Sequence, residues 1–166
     1  MDSITICAPG VFGIEVHERS GEDSLIERYW TPFKEGTRWK CIRCSWCCKQ
    51  PWAVNLTWWE YRRLSSDPRA KDIRMDRIEL DRRTGATHPY FVIEGKCGAL
   101  REEGSVCEMY PDWPYTCATY PFLLLPSGEI MVHRECAGFG HGDVVDGERI
   151  RKMIIRERKR AGMLVK

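Results

Sequence analysis

A chain of 166 residues and 19.4 kDa has material for one domain, which at this size buries about 70% of the surface its unfolded form would expose. With 43% hydrophobic and 30% charged residues it is neither disordered nor fibrous, and a net charge of +2 with pI ≈ 8.1 is too mild to imply nucleic acid by itself. The longest strictly apolar run, Phe122 to Leu125, stops at Pro126 and is far too short for a membrane-spanning helix. Met1-Asp2-Ser3 opens no basic, apolar leader, so the expectation is a cytoplasmic protein, read as one domain over residues 1–166.

In chain order, Ser3 to His17 is β-branched and broken by Pro9, Gly10 and Gly13, which predicts short edge strands. Between Trp30 and Trp59 stand six of the seven tryptophans, around Cys41, Cys44, Cys47 and Cys48. Thr57-Trp58-Trp59-Glu60 has capping-box spacing and predicts a helix from 58 to about Leu64. The charged stretch from Arg69 to Arg83 reads as a second, solvated helix or a connection. Tyr90 to Ile93 reads as a strand, and Glu102 to Ser105 as the turn of a hairpin with Cys97 on one arm and Cys107 on the other. Pro111 and Pro114 force an irregular course, Ser127-Gly128 joins a second hairpin, and Glu129 to Val132 is strand. Glycines 138, 140 and 142 suggest a flexible turn, after which Glu148 to Arg160 is helical with Ile150, Met153, Ile154 and Ala161 on one face.

Nine cysteines are the large deviation. In a reducing compartment they are better read as metal ligands or redox groups than as cystines, and their odd number argues against a fully paired framework. In Cys41-x2-Cys44-x2-Cys47-Cys48 the two-residue gaps let successive thiolates turn onto one centre, with backbone N–H groups offsetting their charge. Adjacent residues of an extended chain face opposite sides, so Cys47 and Cys48 are expected to serve different sites. Cys97, Cys107, Cys117 and Cys136 are separated by nine, nine and eighteen residues, spacings too long to dictate geometry. Eight thiolates divide into two fours: Cys41, Cys44, Cys47 and one distal cysteine, then Cys48 and the other three. One site with spare redox thiols is the alternative.

These residues, with Cys97-Gly-Ala-Leu, Cys107-Glu-Met-Tyr-Pro, Cys117-Ala-Thr-Tyr-Pro-Phe and Cys136-Ala-Gly-Phe-Gly-His-Gly, resemble the YkgJ-like cysteine-cluster family over roughly residues 39 to 142. The resemblance implies zinc or iron chelation through the matching cysteines and no defined reaction; the family's clearest enzymatic relative, the flagellin lysine methylase, is much larger. Family members usually carry glycine where Ser45 stands and arginine where Trp113 and Ala118 stand.

Zinc would draw on nitrogen ligands at His133-x2-Cys136-x4-His141, whereas a [4Fe–4S] cluster favours an all-thiolate set shielded by Trp39, Trp46 and Trp52, and the spacing favours iron–sulfur. Cys7 reads as a small buried residue, His17 and His88 as surface or turn residues, and the tryptophans chiefly as core. Gly138-Phe-Gly140-His-Gly142 lacks the full phosphate-binding glycine pattern. The last helix is basic, with Arg149, Arg151, Lys152, Arg156, Arg158, Lys159 and Arg160 against Glu148 and Glu157, which reads first as a solvated face and second as a contact for nucleic acid or an acidic protein. The expected fold is a small, irregular α+β arrangement of short hairpins and two or three helices around one or two metal centres. The expected function is an iron–sulfur protein transferring electrons or assisting a partner enzyme; a zinc-stapled docking module is the alternative, and methyl transfer by analogy ranks third.

Overall fold

The computed structural model describes residues 29–80, 85–101, 103 and 106–163. The strands expected over Ser3 to His17, together with Cys7 and His17, lie outside the described residues. The fold is small, irregular α+β. One antiparallel sheet takes the order β1 (Trp30–Pro32), β9 (Ile130–His133), β8 (Phe122–Leu124), and Ser127-Gly128 turns β8 into β9 as the sequence predicts. A second sheet, β3 (Ala53–Asn55), β5 (Thr87–Val92), β4 (Arg77–Leu80), is also antiparallel. Among the described residues two further ribbons pair β2 (Arg38–Trp39) with β10 (Phe139–Val144), and β6 (Leu100–Arg101) with β7 (Val106–Cys107).

Helix α1 (Trp58–Ser65) begins where the capping box predicts: Glu60 N–H donates to Thr57 Oγ1 and Thr57 N–H donates to Glu60 Oε2, each at 3.1 Å. The Thr57 hydroxyl then donates to Ala161 O at 2.7 Å, pinning the end of helix α3 (Gly147–Arg160) to the start of α1 across 104 residues. Helix α2 (Tyr115–Thr119) is five residues long, follows Pro114 and carries Cys117. Thr116 Oγ1 ties it to Asn55 O of β3 at 3.1 Å.

Among the described residues the core falls into three clusters. Val54, Leu56, Leu64, Phe91, Ile93 and Met109 fill the space beneath the β3–β5–β4 sheet, with Cys97, Cys107 and Trp113 packed against them. Phe122, Ile130, Ile150 and Ile154 join α3 to β8 and β9, with Met153 at their edge. Trp30, Leu123 and Met131 form the third. Burial of Ile150, Ile154 and Ala161 bears out the apolar face read from the helical spacing.

Four local expectations are corrected. The segment from Arg69 is neither helix nor plain connection: a 3-10 turn, Pro68–Ala70, leads to strand β4, whose Ile78 and Leu80 are exposed and alternate with partly covered Arg77 and Glu79, a period of two. His88 is buried in β5 with Nε2 3.4 Å from Glu79 Oε2, because β4–β5 register sets Glu79 opposite it. The glycine-rich run is mostly strand β10: a Cβ on Gly142 would lie 2.5 Å from Lys40 Cβ, so this glycine is required by the approach of β2. In the first predicted hairpin the arm is Leu100–Arg101, with Cys97 three residues ahead of it.

Candidate metal centre

The loop that carries the first cysteines is backbone-strained. Arg43 and Ser45 both sit at φ 54, the left-handed region that side chains disfavour, and the Ser45 hydroxyl donates to Cys44 O at 2.7 Å. The left-handed turn leads into a 3-10 turn, Trp46–Lys49, closed by Cys48 N–H donating to Ser45 O at 3.0 Å. Cys47 and Cys48 are thus not on extended chain, and their side chains are hydrogen-bonded to one another.

The eight described cysteines are all free thiols. They gather in two neighbourhoods. Cys97 N–H donates to Cys48 O at 2.7 Å, which brings the Cys97–Cys107 segment beside Cys48. Cys48, Cys97 and Cys107 all act electrostatically on Cys117 of α2. Burial, reinforced by these like charges, pushes Cys97 up to about 12 and Cys117 well above the ordinary thiol range. Cys117 nevertheless keeps solvent access. The second neighbourhood holds Cys41, Cys44 and Cys136: burial raises the Cys136 thiol, and the charges of Cys44 and Cys41 raise it further. Cys47 joins this group through Tyr120, on whose phenol Cys136, Cys47 and Cys44 act together. Among the described residues no three Cys, His, Asp or Glu side chains stand close enough, as placed, to grip a single ion. These are neighbourhoods of sulfur rather than closed shells, and ligation requires the thiols to turn inward.

The donor set fits a thiolate-bound metal. Three distal cysteines accept from the backbone N–H two residues on: Cys97 from Ala99, Cys107 from Met109 and Cys136 from Gly138, with Tyr110 N–H adding a second donor to Cys107. Each of these bonds holds its thiol pKa down against the rise that burial causes. Such N–H groups stabilise a negatively charged sulfur far more than a neutral thiol, and a bound cation would offset the mutual repulsion that crowded thiolates suffer.

Histidine does not belong to this set. The His133 ring, 1% exposed, is boxed by Tyr29, Trp30, Trp46, Trp52 and Tyr120 at centroid distances of 5.1 to 6.0 Å, and its Nδ1 lies 3.2 Å from the Tyr120 hydroxyl. Burial lowers its pKa to about 4, and the Arg134 charge adds to the effect. His141 is exposed on β10. The tryptophans divide accordingly: Trp30 is core, Trp46 and Trp52 are half-buried in the box, and Trp58 and Trp59 are exposed.

Two residues near the site were not singled out by spacing. Tyr120 borders the second neighbourhood, that of Cys41, Cys44, Cys47 and Cys136, and its place three residues after Cys117 was the available signal. Glu60, 2% exposed, accepts Tyr115 N–H at 2.7 Å and so fixes the start of the helix bearing Cys117. The basic helix is partly committed inside the fold: Arg158 Nη2 donates to Leu124 O at 2.9 Å and Arg160 Nη2 to Trp113 O at 2.8 Å, while Lys152 and Arg156 face Glu148 and Glu157. Among the described residues no helix is long and apolar enough to cross a membrane.

No curated protein and no solved structure matches the chain. A family model does, over residues 40–139, and with that span covering every cysteine of both neighbourhoods the chain belongs to the CxxCxxCC family, described as a putative zinc- or iron-chelating domain.

Proposed function

We propose that the protein chelates metal at two all-sulfur sites, one drawn from Cys41, Cys44, Cys47 and Cys136 and the other from Cys48, Cys97, Cys107 and Cys117, and that the metal is iron held in [4Fe–4S] clusters. The observation that carries this reading is the pairing of N–H···S bonds at the distal cysteines with the withdrawal of His133 into an aromatic box. Sulfur remains as the donor, and hydrogen bonds to sulfur are a main protein lever on cluster potential. A bound cluster supplies one-electron chemistry. The chain's own groups bind through thiolates, offset their charge with Ala99, Met109 and Gly138 N–H, and keep water from one side with Trp46, Trp52 and Tyr120. Electron transfer, or support of a partner enzyme in the cytoplasm, follows as the role. Anaerobic purification tests it: a brown protein with iron and acid-labile sulfide is expected, and a colourless protein with stoichiometric zinc overturns it.

A second reading keeps the same sulfurs on zinc and uses α3 to dock on an acidic macromolecule. Its support is the row Arg149, Lys152 and Arg156, exposed at i, i+3 and i+7. Charge reversal at Arg149 and Lys152 tests it without disturbing the anchors Arg158 and Arg160: weakened capture of an anionic partner by metal-replete protein supports it, and unchanged capture rejects it.

A further inference from the structure

Arg43 lies between Cys41 and Cys44 on a left-handed backbone, φ 54, that carries a long, exposed side chain. Its guanidinium carbon stands over the Tyr110 ring, 5.4 Å from the centroid, which is cation–π geometry. Tyr110 belongs to the other sulfur neighbourhood. Its N–H donates to Cys107 O at 3.2 Å, so the ring sits on the turn that follows that cysteine. Cys107 is opposite Leu100 in the β6–β7 ribbon, Glu108 N–H donates to Ala99 O at 2.8 Å, and Leu100 N–H donates to Cys97 O at 3.0 Å. Cys97, Cys107 and Tyr110 are thus one hydrogen-bonded unit.

The ring that receives Arg43 is braced from behind. It packs edge-on against Trp113 with centroids 4.9 Å apart, and Trp113 rests on the core beneath the β3–β5–β4 sheet while its carbonyl accepts from Arg160. The two neighbourhoods are joined covalently through the Cys47–Cys48 peptide. The Arg43 side chain adds a second crossing, from the loop of Cys41 and Cys44 to the turn of Cys107, and this one a substitution can remove.

We infer that Arg43 is a positioning residue shared by both metal sites: held over the Tyr110 ring, it makes metal at either site favour metal at the other. The inference rests on the two-site reading above. A Cys41–Cys44 loop fixed on its own metal keeps Arg43 over the ring, so the Cys107 turn has less freedom to lose when its thiolates close on a second ion. The effect is reciprocal. The strength of an exposed cation–π contact sets its size at about twofold to fivefold in affinity, which shifts populations without making either metal depend on the other.

The test is a chelator-buffered zinc titration of the full chain read by native mass spectrometry, which counts protein carrying no, one and two ions. The quantity followed is the square of the one-zinc fraction divided by the product of the other two. Arg43→Gln should raise it about twofold to fivefold, Tyr110→Leu should do the same, and the double variant should do no more. Arg43→Lys keeps a cation over the ring and should stay near wild type. Arg43 and Tyr110 are both exposed, so these substitutions leave the core alone. In Cys97→Ser, where the Cys41–Cys44 site binds by itself, Arg43→Gln should alter zinc affinity by less than about twofold, which separates coupling from damage to the loop. An unchanged ratio in Arg43→Gln with two zinc ions bound, an effect that Tyr110→Leu does not share, or an equal effect in Cys97→Ser overturns the inference and leaves the metal reading standing. Wild type that takes up one zinc ion or none overturns the two-site reading, and the inference with it.

Discussion

Glu60 accepts the backbone N–H of Tyr115 at 2.7 Å through one carboxylate oxygen and that of Thr57 at 3.1 Å through the other. A single side chain thereby closes the capping box of α1 and anchors the first turn of α2, which presents Cys117. Burial pushes its pKa up to about 7, against the opposing pull of the Tyr115 and Thr57 N–H groups and the nearby Arg63 and Arg160.

The sign of the resulting pH dependence follows. The folded state holds the Glu60 proton up to about pH 7, whereas the unfolded chain gives it up near its ordinary value of 4.5. Between those limits the folded state binds more protons, so this group's contribution falls as pH rises through the window, by about 3 kcal/mol at most, and is flat above it. Glu60→Gln removes that slope. The measurement is the difference in denaturant midpoint between wild type and Glu60→Gln from pH 4.5 to 8 at equal metal loading. A difference that does not vary with pH contradicts the assignment.

Ser45 occupies a left-handed position, φ 54, that favours glycine. Ser45→Gly relieves this strain at the loss of one short hydrogen bond to Cys44 O, and a net gain of about 0.5–1 kcal/mol is expected. In a chain of this size that is a rise of about 2 °C in Tm. A lower Tm in calorimetry would show that the serine hydroxyl outweighs the backbone.

Two sulfur neighbourhoods predict two separable losses. Cys44→Ser should remove the metal of the first site and spare the second, and Cys97→Ser should do the reverse; elemental analysis of each variant against wild type reads this. Loss of all metal in either variant would indicate one shared site. Because thiolate-bound structural metal contributes on the order of 10 kcal/mol to folding, chelation of the wild type should lower Tm steeply. Identical melting with and without chelator would contradict structural metal.

Thr57 makes two buried bonds, accepting from Glu60 N–H and donating to Ala161 O. Thr57→Ala loses the cap and unfastens the end of α3, a cost of about 2 kcal/mol, or about 6 °C in Tm. Thr57→Ser keeps the hydroxyl and should recover most of it. Equal destabilisation by both substitutions would assign the loss to the methyl group's packing instead.

Much of this protein is legible before any coordinates. Thr57 and Glu60 announce α1, Ser127-Gly128 announces the β8–β9 hairpin, and Ile150 and Ile154 announce the buried face of α3, because each signal acts within a few residues. The cysteine spacing likewise marks the metal chemistry of the family. Tertiary structure alone decides which distal cysteine stands with which near one: Cys97 reaches Cys48 through a backbone hydrogen bond across 49 residues, and no local pattern encodes that pairing. It also decides that β4 is strand, since a charged segment with few apolar residues takes the conformation its neighbour β5 offers. His133 shows the same division from the other side: its spacing to Cys136 suits a zinc ligand, but five aromatic rings from separate parts of the chain close around it and leave sulfur as the donor.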